Sequence, residues 1–391
     1  MNITTYASCE EDIARIAKAH GASEVLLEPL MLSRFGHLTR KEVENLARAA
    51  EAQSLERVLV WDALIPERNI DEMLKEIEKW DLSLFTAVRI QDPGAAQWLL
   101  THRSDALLQL IVEVGSHNLE ALQGWCECFG PRLQRLVLSI ELPEEKLIEY
   151  CESLPCQVEL LGAGPILLFH SPRALLSNRF SPPQPESIAD NFRIEAISSS
   201  TESHDRLFPT IETAHGTFMF LDKDQFILDK LDKLLDAGLH TVRIDMRHTS
   251  TSGGFAELIV EVCDAMQLDS CADVRSIWPR VTRSPFFKSN KTTAQFAKLK
   301  SRIPQFRNEN GLAEVVAAEK GECVVFFTRQ AFDSSGDFLL VLPSGEDDLL
   351  IHGACFRDSS GAVIDRCEQD RIVVTQWYKK AALGALLRYP S

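Results

Sequence analysis

Apolar runs alternate with amphipathic stretches along the first half of the chain. Short runs rich in Val, Ile and Leu occur in EVLLEP, RVLVWDAL, LLQLIVEV, RLVLSIEL and QVELLG. Continuous runs of this kind are typical of strands that are buried on both faces. Most are followed by a segment with helical spacing, such as 38–53, where Thr39 and Glu42 form a capping-box pattern. The pattern therefore predicts alternating strands and helices.

This alternation repeats every ~25–30 residues, which favours a parallel sheet, open or closed into a barrel. A stretch rich in Pro and Ser over 178–206 interrupts it and predicts a long loop over one end of the barrel. After about 280 the pattern changes to short strands separated by Gly and Asp turns. We predict a (β/α) TIM-like barrel over 1–280, followed over 281–391 by a linker and a small antiparallel, β-barrel-like domain.

The net charge of the chain bears on which classes of partner it can bind. The net charge is −16 and the isoelectric point is about 5.1, so a broad nucleic-acid-binding face is disfavoured. One basic stretch with aromatic residues, 288–307, is compatible with an RNA contact. A solvated linker is the favoured interpretation, because a single short basic run is weak evidence. No apolar run approaches the ~20 residues of a spanning helix, and the first residues lack a signal pattern. We therefore expect a cytoplasmic protein without membrane association.

The ten cysteines are scattered, and most lie in apolar stretches. In a reducing compartment such cysteines behave as small buried hydrophobic residues. The pairs Cys126/Cys128 and Cys151/Cys156 lack the two-residue gap of a zinc knuckle. We expect neither a metal nor another cofactor.

Six segments carry a family resemblance. QDPGAAQWLL (91–100) looks like a D-P-G strand-to-helix turn, and RLVLSIELPEEKL (135–147) looks like R-V-V-L-S-R-E-L-S-x-E-E-I. FHSPRALLSNRF (169–180) looks like Y-S-G-R-C-L-L-S-N-Y. FPTIETAHGTFMF (208–220) and LLDAGLHTVRIDMR (234–247) look like F-P-x-x-E-D-x-H-G-T and L-x-x-A-G-I-x-S-F-K-I-E-G-R. Downstream, TRSPFFKSNKT (282–292) looks like T-R-G-F-F-x-x-N-x-T. In order and spacing all these segments resemble the bacterial collagenase-like peptidase family U32 over nearly the whole chain.

The resemblance implies a barrel and, in its usual form, an iron–sulfur cluster held by cysteines. Members of the family include prephenate-dependent RNA hydroxylation proteins and oxygen-independent ubiquinone hydroxylation proteins. Leu167 and Ala174 stand where the first two cluster cysteines are expected, and 178–206 contains no cysteine. A cluster generally needs four thiolate ligands. The resemblance therefore implies a cluster site without its ligands.

Polar residues at predicted strand ends are the candidates for chemistry, because those ends form the functional mouth of a (β/α) barrel. Arg243, Asp245 and Arg247 alternate along one predicted strand and so point to the same side. The candidate catalytic residues are Glu212, His215, Asp245 and Arg247, and the candidate substrate-binding residues are Glu28, Asn118, Glu141, Arg173 and Arg243. Arginines bind carboxylates with two parallel hydrogen bonds, which favours a small anionic ligand. An internal ion-pair layer that holds the barrel together explains the same charges equally well.

Three functions stay open. The first is a cluster-free partner or substrate-binding subunit of a hydroxylation or RNA-modification system, for example as a heterodimer with a cysteine-complete relative. The second is a metal-independent enzyme that uses the polar mouth around Glu212, His215 and Arg247. The third is a peptidase, as the family name suggests, although the sequence contains neither G-x-S-x-G nor H-E-x-x-H.

Overall fold

The computed structural model describes residues 1–103, 105–113, 116–177, 191–200, 203–247, 254–267, 271–288, 311–342, 349–379 and 381–390. The chain forms two compact units, Met1–Asn290 and Lys291–Ser391. No helix in these ranges is long and apolar enough to cross a bilayer.

Eight parallel strands of the first unit close into a barrel, which confirms the predicted fold class. They are β1 (Asn2–Ala7), β2 (Ala22–Leu27), β3 (Glu56–Trp61), β4 (Ala87–Ile90), β5 (Leu108–Ile111), β6 (Leu133–Val137), the first part of β7 (Gln157–Ser171) and β11 (Thr241–Ile244). Each strand pairs with the next, and β11 pairs with both β7 and β1, which closes the ring.

Helices follow most of these strands. They are α1 (Glu10–Ile16), α2 (Arg40–Ala52), α3 (Ile70–Ile77), α4 (Pro93–His102), α5 (Leu119–Phe129), α6 (Glu144–Ser153), α7 (Asp232–Asp236), α8 (Ile259–Gln267) and α9 (Cys271–Ile277). The capping box predicted for α2 is present, because the Thr39 hydroxyl accepts from the Glu42 amide and the Glu42 carboxylate accepts from the Thr39 amide. Outward-facing side chains such as Leu27 and Leu59 join the apolar core of this unit.

β7 continues beyond the barrel and carries an added antiparallel sheet. β10 (Gly216–Phe226) pairs with β7, β9 (Ser203–Thr213) pairs with β10, and β8 (Arg193–Ser200) forms the edge. β7 leaves the barrel at Gly164, whose φ is +144° and where a Cβ atom would lie 2.7 Å from the Asp245 Cβ. The short β12 (Thr282–Arg283) pairs with β10, so this segment belongs to the first unit.

The prediction of a loop over 178–206 is wrong from residue 193 onward. Residues 193–199 alternate regularly between exposed and half-buried positions, as an edge strand requires. The serines that suggested a loop occupy this strand because its hydrogen bonds to β9, rather than apolar packing, hold it in place. Residues 178–190 and 201–202 lie outside the described residues.

The barrel interior has an apolar part and a charged layer. Tyr6, Leu26, Val58, Val60 and Ala87 form a small apolar cluster. The charged layer contains Glu24, Arg89, Gln109, Arg135 and Glu159. Arg89 Nη1 donates to Glu159 at 2.8 Å, and Arg135 Nη1 donates to Glu24 at 2.7 Å. Two arginines and two glutamates balance one another, as buried charges must.

The second unit is an antiparallel β module, as predicted. Six strands lie in the order β17 (Leu349–Ile351), β16 (Phe338–Val341), β20 (Leu386–Arg388), β13 (Ala313–Glu319), β14 (Cys323–Thr328) and β19 (Ile372–Gln376). β15 (Phe332–Asp333) pairs separately with β18 (Arg366–Cys367). The predicted basic stretch lies outside the described residues from 289 to 307.

Candidate functional site

Charged side chains collect at the carboxyl ends of the barrel strands. Glu28 follows β2, Asp62 follows β3 and Glu113 follows β5, while Asp245 and Arg247 come directly after β11. Because the strands are parallel, these positions meet on one rim. The rim is the candidate functional site.

Arg247 is the centre of this rim. Its guanidinium donates to Asp245 Oδ2 at 2.6 Å and to Glu28 Oε1 at 2.6 Å. It also stacks on the ring of Tyr6, with Cζ 3.7 Å from the ring centroid. Burial opposes its charge, but Asp245 and Glu28 outweigh burial, so the pKa of Arg247 lies above its ordinary value. Arg247 is therefore a permanent cation whose guanidinium is already hydrogen-bonded to two carboxylates.

Glu28 is the carboxylate of the rim whose pKa is raised towards neutral pH. Its side chain is 2% exposed, and its Oε2 atom has no hydrogen-bond partner within the described residues. Burial raises the pKa of Glu28 to about 7, with Asp62 and Asp245 adding to the rise and Arg247 opposing it. Glu28 therefore exchanges its proton near neutral pH.

Sequence reasoning missed Arg34, Asp62 and Glu113. Arg34 Nε donates to Asp62 Oδ2 at 2.8 Å, and both side chains are buried. Arg243 pairs with Glu113 and lies 3.7 Å from Glu159 of the charged layer. Asp62 and Glu113 each follow a buried strand, which is the same signal that selected Glu28. Arg34 lies in the connection after β2, where no pattern marks it.

Glu212 and His215 do not join Arg247 by hydrogen bonds in the described residues. Glu212 accepts from the amides of Leu176 and Ser177 at 2.6 and 2.9 Å and from the Thr217 hydroxyl at 2.7 Å. It therefore fixes the segment after β7 against β9 and β10. The His215 Nε2 atom lies 3.1 Å from the Leu30 carbonyl oxygen, and burial lowers the pKa of His215.

The remaining predicted binding residues have different positions. Asn118 is the N-cap of α5 and accepts from the Ala121 amide at 2.8 Å. Arg173 is exposed, and its carbonyl accepts from Thr217 at 2.7 Å. Glu141 is half exposed and lies 3.9 Å from the His117 Nε2 atom. Of the three, Glu141 lines a cavity at the mouth.

Three cavities surround the mouth, and they differ in character. The first, of about 250 Å³, is lined by Phe35, His37, Pro165, Arg193, Pro209, Ile211, Phe220, Arg247, Phe255 and Arg280. Among the described residues, its lining holds three arginines and no carboxylate. The second, of about 180 Å³, includes Glu113, Glu141, Arg243 and Asp245. The third, of about 490 Å³, is mostly apolar and includes Trp125, Leu167 and His170. Glu28 lines none of the three.

Residues 13–273 match the model of peptidase family U32. The chain belongs to this family. It is 22% identical over 214 residues to tRNA hydroxylation protein P2 of Bacillus subtilis (strain 168), covering 54% of this chain and 67% of that protein. Two solved structures are also similar, each at 12% identity. The C-terminal domain of a Geobacillus thermoleovorans U32 peptidase covers 21% of this chain and 93% of its own, with a TM-score of 0.20. The U32 peptidase Mk0906 covers 42% of this chain and 70% of its own, with a TM-score of 0.35.

The residues of this U32 member do not fit the iron–sulfur cluster that the resemblance implies. Leu167 and Ala174 have no donor atom in their side chains, and Leu167 instead lines two of the cavities. The sequence contains no cysteine between Cys156 and Cys263. Cys156 precedes β7 at the opposite end of the barrel from Leu167. Within the described ranges, no three His, Cys, Asp or Glu side chains are grouped so as to hold a metal ion.

Proposed function

We propose that this U32 protein works without its own cluster, as a partner or substrate-binding subunit in a hydroxylation or RNA-modification system. The observation that carries the proposal is the contrast between an intact mouth with its cavities and a cluster position occupied by Leu167 and Ala174. A redox step needs an electron carrier, and leucine and alanine cannot supply cluster ligands. The similarity to a tRNA hydroxylation protein supports the choice of system.

The ligand that we propose for the mouth is a small anion with an apolar body. The 250 Å³ cavity combines Phe35, Phe220 and Phe255 with the guanidinium groups of Arg193 and Arg280. Arginine binds carboxylates with directed hydrogen bonds, and aromatic walls favour an apolar body. No carboxylate is among the described residues of this lining, although each of its arginines pairs with a carboxylate outside it: Arg193 with Glu195, Arg247 with Asp245, and Arg280 with Asp224.

The rim supports binding better than proton transfer. Glu28 has a pKa of about 7, which suits an acid or base, but it is 2% exposed and lines none of the three cavities. A catalytic acid or base must come within hydrogen-bond reach of the reacting atom. Asp245 and Arg247 bind each other, so they hold the rim in shape. These contacts favour a binding subunit over a metal-independent enzyme.

The test is made on the full chain in its source organism. A tagged copy is purified without oxygen and analysed for iron, sulfide and co-eluting proteins, and the hydroxylated nucleosides of tRNA are measured in a deletion strain. We expect substoichiometric iron, a co-eluting family relative with four cluster cysteines, and a loss of hydroxylated nucleosides. Stoichiometric iron in the pure chain, or an unchanged nucleoside content, would contradict the proposal.

A further inference from the structure

A pair of thiols lies between α5 and the start of β7. Cys126 belongs to α5, and Cys156 lies between α6 and β7. Their Sγ atoms are 3.6 Å apart, although 30 residues separate them along the chain. A disulfide bond needs about 2.0 Å between the sulfur atoms. Bond formation therefore requires the two sulfur atoms to approach each other by about 1.6 Å.

We infer that Cys126 and Cys156 are a redox-sensitive dithiol, which a hydroperoxide converts into a reversible disulfide. The proposal is independent of the function proposed for the mouth. In a reducing compartment a disulfide of this kind is transient and redox-sensing.

The two thiols have different roles in this reaction. Either thiol can donate in the hydrogen bond between Cys126 and Cys156. When Cys156 donates, this bond lowers the pKa of Cys126, while the same bond together with burial raises the pKa of Cys156. Burial raises the pKa of Cys151 and of Cys263 to about 12. Because the thiolate is the nucleophile, this arrangement assigns the attack to Cys126, which is 8% exposed, and the resolving role to Cys156.

The steps balance as follows. The Cys126 thiolate attacks one oxygen of hydrogen peroxide, the O–O bond breaks, and a sulfenic acid forms while the second oxygen leaves as water after taking a proton. The Cys156 sulfur then attacks the Cys126 sulfur, the S–O bond breaks, and a second water leaves. Two thiols are oxidised and one peroxide is reduced to two waters. Two molecules of a small thiol such as glutathione then reduce the protein disulfide by exchange and become glutathione disulfide.

The cross-link would act on the wall of the 490 Å³ cavity. Trp125 precedes Cys126 on α5, lines the 490 Å³ cavity and stacks on Phe129 with 5.6 Å between ring centroids. Joining Cys126 to Cys156 ties this helix to the start of β7. We therefore expect oxidation to restrain α5 and, with it, one side of that cavity.

The test uses the reduced full-length protein with hydrogen peroxide as the probe. After oxidation, free thiols are blocked with N-ethylmaleimide and the non-reduced digest is analysed by mass spectrometry. We expect one linked peptide pair containing Cys126 and Cys156, lighter by two hydrogens than the reduced peptides, and recovery of both thiols after reduction. Amide exchange in α5 should slow in the oxidised protein.

Three variants make the result specific. Cys126→Ser and Cys156→Ser should each abolish the linked peptide, with circular dichroism confirming the fold. Cys151→Ser removes a buried thiol from the neighbouring helix α6. This variant should leave the yield of the linked Cys126–Cys156 peptide unchanged. Recovery of Cys126 and Cys156 as alkylated thiols or as sulfinic acid, or linkage of Cys156 to the exposed Cys128, would overturn the inference.

Discussion

Glu28 combines burial with an incomplete set of hydrogen bonds. Arg247 binds one of its oxygens, and within the described residues nothing binds the other. Burial favours the neutral form, and the carboxylates of Asp62 and Asp245 push in the same direction. The folded protein therefore holds a proton on Glu28 that the unfolded chain releases at lower pH.

This difference predicts how stability depends on pH. The pKa of Glu28 rises from 4.5 to about 7 on folding. The contribution of Glu28 to the free energy of unfolding is therefore fully present below pH 4.5, and it is lost as the pH rises through 7. Glu28→Gln removes that loss, because the amide stays neutral. We compare the free energy of unfolding of Glu28→Gln with that of the wild type. We expect the difference between them to shift in favour of Glu28→Gln by up to about 3 kcal/mol as the pH rises from 5 to 8. Urea unfolding at several pH values measures it.

The half-exposed Glu141 provides the matched control. Glu141→Gln should follow the wild-type pH profile closely. Parallel profiles for Glu28→Gln and the wild type would mean that Glu28 stays ionised beside Arg247, and the prediction would then be wrong.

Sequence reasoning found part of this rim and could have found more. The rule that a polar residue after a buried strand lies at the mouth identified Glu28 and applies equally to Asp62 and Glu113. It could not identify partners, because pairing across a barrel depends on strand order and on loops. Glu212 shows the opposite difficulty. A motif containing Glu212 marks it as important, but its oxygens accept backbone hydrogen bonds from residues 36 and 35 positions away.

At the scale of elements, the antiparallel sheet of β8, β9 and β10 is the part of the fold that is hardest to predict from sequence patterns. The parallel strands are apolar runs, which burial on both faces requires. The added sheet is serine-rich at its edge and gains its order from pairing with β7. Pro209, Ile211 and Phe220 of this sheet line the cavity that contains Arg280. The sheet therefore creates a cavity that the barrel alone would not have.

The character of that cavity predicts its ligand preference. Benzoate and benzamide have nearly the same shape, but only benzoate carries a negative charge. We expect benzoate to bind more tightly, because the described lining of the cavity includes the Arg280 guanidinium and no carboxylate. Arg280→Met should weaken benzoate binding roughly tenfold, the loss of one charge-assisted hydrogen bond. Isothermal titration calorimetry measures both.

Arg283 is exposed, three residues further along, and provides the control. Arg283→Met should leave benzoate affinity unchanged, which separates a contact in the cavity from a general loss of positive charge. Equal affinities for benzoate and benzamide would exclude the anionic ligand.

At the scale of the whole molecule, charge is divided unevenly between the two units. Lys291–Ser391 contains 13 Lys and Arg and 13 Asp and Glu, so the net charge of −16 belongs entirely to Met1–Asn290. The barrel unit therefore repels polyanions, while the smaller unit is neutral. If the protein acts in RNA modification, we expect the neutral unit or a partner protein to bind the nucleic acid.

The proposal that this chain works without its own cluster can be tested by supplying only part of the ligand set that the family resemblance implies. In the variant Leu167→Cys/Ala174→Cys, thiols return to the first two positions that the family resemblance implies. Four thiolates are generally needed, and the sequence has no other cysteine between Cys156 and Cys263. After anaerobic reconstitution with iron and sulfide, followed by desalting, we therefore expect no stoichiometric cluster, as judged by iron content and visible absorption.

The matched control places the same two thiols one residue further along, in Leu168→Cys/Leu175→Cys, at positions that are 42% and 44% exposed. It should bind no more iron than the first variant, because neither protein completes a ligand set. Stoichiometric iron in the first variant alone would mean that protein groups other than cysteine complete the site, so that this chain stands two substitutions from a cluster. Stoichiometric iron in the wild type would mean that its existing thiols hold a cluster elsewhere, and the mouth would then have to be interpreted as part of a redox protein.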